Sequence, residues 1–141
     1  MTSPVPIPTP GTPPLIELAD VRKRYNLGRP NEAEVLHGVS LQLAAGEFAA
    51  LIGPSGSGKS TLLNLIGLLE RLTSGSYRIQ GLEMAGLDDA GLTRQRRQTL
   101  GFVFQFHHLL PAFTALENVM MPSIIARGAA DDEAEATALA L

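Results

Sequence analysis

The chain has 141 residues, a formal net charge of −3 and no cysteine. That is length for one small domain with a core; it excludes disulfides, thiolate zinc sites and thiol nucleophiles, and lacks the basic excess that nucleic acid selects. The most apolar run, residues 62–69, is interrupted by Asn64 and Gly67 and falls far short of the ~20 residues of a membrane helix.

The first residues show no basic start followed by an apolar stretch, so they do not read as a signal peptide. A soluble, cytoplasmic chain is expected, with any membrane connection made through a partner. Residues 1–14 carry Pro4, Pro6, Pro8, Pro10, Pro13 and Pro14. Proline removes backbone donors and favours extended chain, so a disordered tail is expected there, followed by a folded domain over residues 15–141.

Residues 15–21 and 35–43 are strand candidates, the second with Gly38 as a bulge, and the polar residues 26–34 join them as antiparallel neighbours. Ala45 and Gly46 form a turn. Residues 47–52 are an apolar run suited to a buried parallel strand. A helix is expected from Ser60 to about Arg71, broken by Ser74 and Gly75, and then a strand at 76–80. Residues 88–98 read as a polar helix capped by Asp88 or Asp89, and residues 100–104 as a further strand. Thr114 and Glu117 have capping-box spacing, with Pro122 kinking or ending the helix they open. A last helix starts at Asp132 and meets no stop signal before Leu141, as if the chain were cut within an element.

The chemistry concentrates between residues 53 and 61. Gly53, Pro54, Ser55, Gly56, Ser57, Gly58, Lys59 and Ser60 match G-x-x-x-x-G-K-[ST] in full, and Thr61 follows. A nucleotide triphosphate is a dense anion whose site needs many converging donors. Glycines let backbone N–H groups turn inward and approach the phosphates, and the following helix adds its positive end. Lys59 supplies a point charge to the β- and γ-phosphates. The Ser60 hydroxyl suits Mg²⁺, a hard cation that prefers oxygen. ATP and Mg²⁺ are the implied cofactors, and a Gly/Ser linker is the bland alternative.

The loop alone names no family, but the flanking residues do. Leu100-Gly-Phe-Val-Phe-Gln105 resembles the glutamine loop of ABC transporter ATP-binding subunits. Leu36-His-Gly-Val-Ser-Leu41 with Ala45-Gly-Glu47 resembles that family's approach to its phosphate loop, and Tyr25, after Val21-Arg-Lys-Arg24, matches its adenine-stacking aromatic. Residues 104–111, 113–119 and Met121-Pro122 are similar to the lipoprotein-releasing subgroup, and macrolide-exporter ATPases share part of that pattern. The resemblance implies an α/β fold: a partial P-loop core with an N-terminal antiparallel β-subdomain, truncated after the glutamine loop. It also implies that Gln105 contacts Mg²⁺ or the attacking water, that residues 106–113 face a transmembrane permease, and that the subunit works as a homodimer. Its place would be the inner face of a bacterial cell membrane.

ATPases of this family also need a strand ending in Asp-Glu, a Leu-Ser-Gly-Gly-Gln signature and a switch histidine, none of which occurs here. Glu70 and Glu117, on expected helices, do not replace the missing carboxylates. A fragment that binds nucleotide without turnover is therefore a second expectation. Adjacent histidines in an extended segment are expected to point to opposite sides, so His107 and His108 are not expected to make a metal site. Asp88-Asp-Ala-Gly91 matches a GTPase-like D-x-x-G string, without an apolar strand before it or an Asn-Lys-x-Asp guanine reader.

Overall fold

The computed structural model describes residues 13–106, 108–128 and 132–140. The proline-rich tail, except for residues 13 and 14, lies outside them, as does His107. Two compact units form, one ending at Phe102 and the other spanning Val103–Leu141.

The first unit is built on β1 (Ile16–Tyr25), β2 (Ala33–Leu43), α1 (Lys59–Ile66), β3 (Ser74–Ile79), β4 (Leu82–Glu83) and α2 (Asp89–Thr99). The strands make one antiparallel sheet in the order β2-β1-β3-β4. Gly38 is the extra residue of a bulge: Val21 pairs with Val39 and Arg22 with His37, and Gly38 sits between at φ 90°. Gln80 and Gly81, both at positive φ, make the two-residue turn from β3 to β4, with Ile79 opposite Leu82. Glu83 locks that hairpin. Its carboxylate accepts from the Ser76 hydroxyl, from Tyr77 N–H at 3.0 Å and from Ala85 N–H at 3.1 Å.

The core gathers one face of the sheet against the helices. Leu18, Val21, Leu36, Tyr77 and Ile79 from the strands meet Leu62, Leu65 and Leu68 from α1 and its exit, with Met84 and Leu92 closing the side toward α2. Fully burying a side chain of this size contributes about 1.5–3 kcal/mol, so α1 owes its position to this face. Tyr77 is 2 % exposed and donates its hydroxyl to the Ile66 carbonyl at 2.6 Å, which fastens β3 to the end of the helix. Burial pushes its phenol well above the ordinary value.

Three expectations need correction here. Residues 47–52 and 100–104 form no strand, and Phe48 and Ile52 are 91 % and 88 % exposed. A strand exists only where a neighbour completes its ladder, and among the described residues neither segment has one. Helix α1 stops at Ile66 rather than near residue 71, because Gly67 closes its last turn on Leu63 and Leu68 takes φ 55°. Strand β4 is only two residues long and left no pattern to read. The expected cap of α2 does form: Asp88 accepts from Gly91 N–H at 2.8 Å.

The second unit contains α3 (Ala115–Arg127) and α4 (Asp132–Leu139). Thr114 and Glu117 close the expected capping box, with Thr114 Oγ1 accepting from Glu117 N–H at 3.2 Å and Glu117 accepting from Thr114 N–H at 2.7 Å. The helix runs through Pro122 to Arg127 and ends at Gly128 in the left-handed region. Asn118 reaches back from α3: its Oδ1 accepts from Leu110 N–H at 2.8 Å, and its amide donates to the carbonyls of Leu110, Phe113 and Thr114. Thr114→Ala is expected to cost about 1 kcal/mol of local stability. The readout is hydrogen exchange at the first-turn amides of α3, which should quicken about fivefold; unchanged rates would show that the box contributes nothing.

Candidate functional site

Residues 53–58 cross from the exposed segment 47–52 into α1 as a loop whose shape depends on its glycines. Gly56 and Gly58 have φ 80° and 86°, values an L-residue rarely adopts. At Gly58 a Cβ would also press on Leu36 at 3.0 Å and on the Val35 carbonyl at 3.2 Å. Glycine there lets the loop run close over β2.

Gly58 is also the N-cap of α1 and has no side chain to cap the helix. The first helical bond runs from Leu62 N–H to Gly58 C=O at 2.8 Å. The amides before it, those of Lys59, Ser60 and Thr61, have no acceptor within the helix. No acidic residue stands in that first turn, so nothing offsets the positive end of the helix dipole. Such a helix start suits an anion.

Lys59 completes the geometry. It is half-buried, and its side chain turns back into the loop, where Nζ donates to the Gly53 carbonyl at 2.9 Å and the Pro54 carbonyl at 2.6 Å, with Ser57 Oγ at 3.5 Å. Val35, Ser55, Gly56, Gly58, Lys59, Ser60 and Thr61 line one concavity around it. Ser60 is exposed at its edge, leaving the hydroxyl available to a hard cation carried by phosphate. Among the described residues no group of three His, Cys, Asp or Glu is placed to hold a metal. Mg²⁺ at phosphate sites generally takes a few protein oxygens and draws the rest of its ligands from phosphate and water.

Tyr25, at the end of β1, comes to the same helix. Its hydroxyl donates to Glu70 Oε2 at 2.5 Å. Partial burial, together with Glu70, raises its phenol above the ordinary value. Glu70 lies past the end of α1, not on a helix as expected. Asn64 donates to its Oε1 at 3.1 Å, and Lys23 Nζ pairs with its Oε2 at 3.2 Å. Partial burial works against the charged carboxylate, but the bonds from Tyr25, Asn64 and Lys23 outweigh it and hold Glu70 below the usual carboxylate range. Sequence reasoning missed this cluster, because no local pattern links residues 45 positions apart.

Gln105 belongs to the second unit, where it sits exposed in a bend. Beside it Phe104 meets the His108 ring edge-on, with centroids 5.0 Å apart. Phe106, Leu109, Leu110 and Phe113 are exposed, and Asn118 holds the end of this segment. Glu117 is consumed by its capping box.

Comparison with known proteins covers nearly all of this. The ABC transporter family profile matches residues 36–140. The lipoprotein-releasing system ATP-binding protein LolD of Anaeromyxobacter dehalogenans is 65 % identical over 123 residues, 86 % of this chain and 51 % of that protein. The pyoverdine export ATP-binding/permease protein PvdT of Pseudomonas fluorescens is 53 % identical over 127 residues, 89 % of this chain and 19 % of the relative. Among solved structures, the dimeric ATP-binding cassette MJ0796 in a post-hydrolysis state with ADP and Pi superposes with a TM-score of 0.78 at 44 % identity, covering 88 % of this chain and 54 % of that one. The chain thus spans about half the length of the LolD relative.

Proposed function

The chain belongs to the ABC transporter family, and on that premise we propose that it is the ATP-binding part of a transporter subunit serving lipoprotein release. The observation that carries this reading is the loop itself: Lys59 Nζ lies 2.9 and 2.6 Å from the Gly53 and Pro54 carbonyls, beside a helix start whose first amides have no partner in the helix. Lipoprotein release is preferred to small-molecule export on the 65 % identity to the LolD of Anaeromyxobacter dehalogenans; the other LolD relatives, at 50–55 %, overlap the PvdT relatives at 52–55 %.

In this reading residues 15–141 are the front part of an ATP-binding domain. Backbone amides of the loop and Lys59 hold the β- and γ-phosphates of ATP, Ser60 gives one oxygen to Mg²⁺, and Tyr25 stacks on adenine. Gln105 contacts Mg²⁺ or the attacking water, a task for a side-chain amide that both donates and accepts. The apolar segment 106–113 docks on a transmembrane permease. No helix among the described residues is long and apolar enough to cross a membrane, so the place at the inner face of the bacterial membrane comes through that partner. A second ATP-binding subunit completes a homodimer.

One observation favours nucleotide binding without turnover for these residues by themselves. Turnover needs a group that positions or deprotonates water near the γ-phosphate. Glu70 is the first acidic side chain after the loop, and its carboxylate is already engaged by Tyr25, Lys23 and Asn64. Calorimetric titration of the chain with Mg·ATP, beside Mg·GTP, tests the reading. Saturable binding of Mg·ATP in preference to Mg·GTP is expected. Preference for GTP, or no heat from a chain that is folded by circular dichroism, would overturn it.

A further inference from the structure

Tyr25, Glu70, Asn64 and Lys23 form a connected polar cluster that the loop chemistry does not use. The phenol donates to Glu70 at 2.5 Å, Asn64 donates to the same carboxylate at 3.1 Å, and Lys23 pairs with it at 3.2 Å. Lys23 also donates to the Arg71 carbonyl at 2.8 Å and lies 4.8 Å from the centroid of the Tyr25 ring. One face of the ring is thereby covered by a cation, so a flat partner would take the other.

The cluster has a direction. Asn64, on α1, meets the carboxylate that the phenol bonds. A tyrosine side chain has two free torsions. Here Glu70, itself bonded to Asn64 of α1, holds the hydroxyl and so the direction of the ring axis, while Lys23 over one face restrains the ring's rotation about that axis.

From this we propose that Glu70 is a positioning residue for the nucleotide base, holding Tyr25 in the orientation that a purine stacks upon. The inference rests on the reading above that the loop binds ATP and Tyr25 meets its base. Stacking on a ring that is already oriented avoids the loss of rotamer freedom that binding would otherwise require. Glu70 therefore acts on the base-dependent share of affinity and leaves the phosphate-dependent share alone.

That division is the test. The chain is titrated with Mg·ATP and with magnesium tripolyphosphate, which has the phosphates and no base. Tyr25→Ala is expected to weaken ATP roughly five- to a hundredfold, the worth of one stacked base, and to leave tripolyphosphate unchanged. Glu70→Leu and Tyr25→Phe, which cut the same bond from opposite ends, should each weaken ATP by at least about threefold, again without effect on tripolyphosphate. The double variant should be no weaker than either single one.

Wild-type affinity for ATP in Glu70→Leu and Tyr25→Phe, with a loss in Tyr25→Ala, would overturn the role of Glu70 while the stacking reading stands. No loss in Tyr25→Ala would remove the stacking reading and this inference with it. Equal weakening of both ligands by Glu70→Leu would mark the cluster as a brace for the loop and overturn the proposal. Should Glu70→Leu fail to fold, Tyr25→Phe decides, because it leaves the bonds of Glu70 with Lys23 and Asn64 in place.

Discussion

Replacing Lys59 with alanine is expected to weaken binding of Mg·ATP by at least about tenfold and up to roughly a hundredfold, since a hydrogen bond to a charged group is worth about 1.5–3 kcal/mol. Of the residues lining the concavity, Lys59 is the one that carries a full charge. Its ammonium rests among oxygens of the loop, at 2.9 Å from Gly53 and 2.6 Å from Pro54. Those carbonyls set where the charge sits, and the amides at the start of α1 share the phosphate with it. Removing the side chain leaves the amides but takes away the charge, so residual weak binding is the expected remainder. The loop is exposed, and the fold should tolerate the change within about 0.5 kcal/mol. Calorimetry on both proteins, with thermal melting as a control, checks this. Equal affinity in a folded Lys59→Ala chain would mean that the loop does not hold phosphate.

The second large effect falls on the fold and comes from Gly75, near the start of β3. Its φ is 103°, and a Cβ built there would stand 2.4 Å from the Asp20 carbonyl oxygen and 2.7 Å from the Val21 Cα. Both obstacles are backbone of β1, the strand at the middle of the sheet's longest pairings. Asp20 is itself at positive φ, inside an irregularity between Leu18 and Val21. Neither strand can yield without breaking ladder bonds. Gly75→Ala should therefore cost roughly 2–5 kcal/mol, combining backbone strain of about 1–3 kcal/mol with overpacking of similar size. Domains of ordinary stability have only about 5–15 kcal/mol in total. The expected result is a large drop in thermal midpoint with loss of ATP binding at moderate temperature. A chain that melts as wild type would show that β1 and β3 do not approach as described.

What could be read from the sequence follows physical range. The phosphate loop, the Asp88 cap, the Thr114–Glu117 box and the Gly38 bulge depend on residues a few positions apart, and all were legible. Strand β1 was seen as far as Val21, and its continuation through the charged residues Arg22, Lys23 and Arg24 to Tyr25 was hidden because those side chains do not alternate. Residues 47–52 and 100–104 are apolar enough to be strands, but strand formation is settled by a partner, which composition does not supply. The end of α1 was misplaced because Leu68 and Leu69 continue its apolar pattern past the cap at Gly67. At the site, the loop residues were named from spacing, whereas Glu70 and Asn64 were invisible. Glu70 meets a tyrosine on another element and Asn64 meets that Glu70, and only three-dimensional structure brings them there.

Asn118 has a mechanical consequence. Its one amide group joins Leu110, Phe113 and Thr114 to the first turn of α3 through four hydrogen bonds. The chain between Leu110 and the helix therefore has little slack. A push on the apolar side chains there would reach the first turn of α3 through these bonds and not be absorbed by a yielding tether. Stiffness of that kind converts a small displacement at one end into an equal displacement at the other.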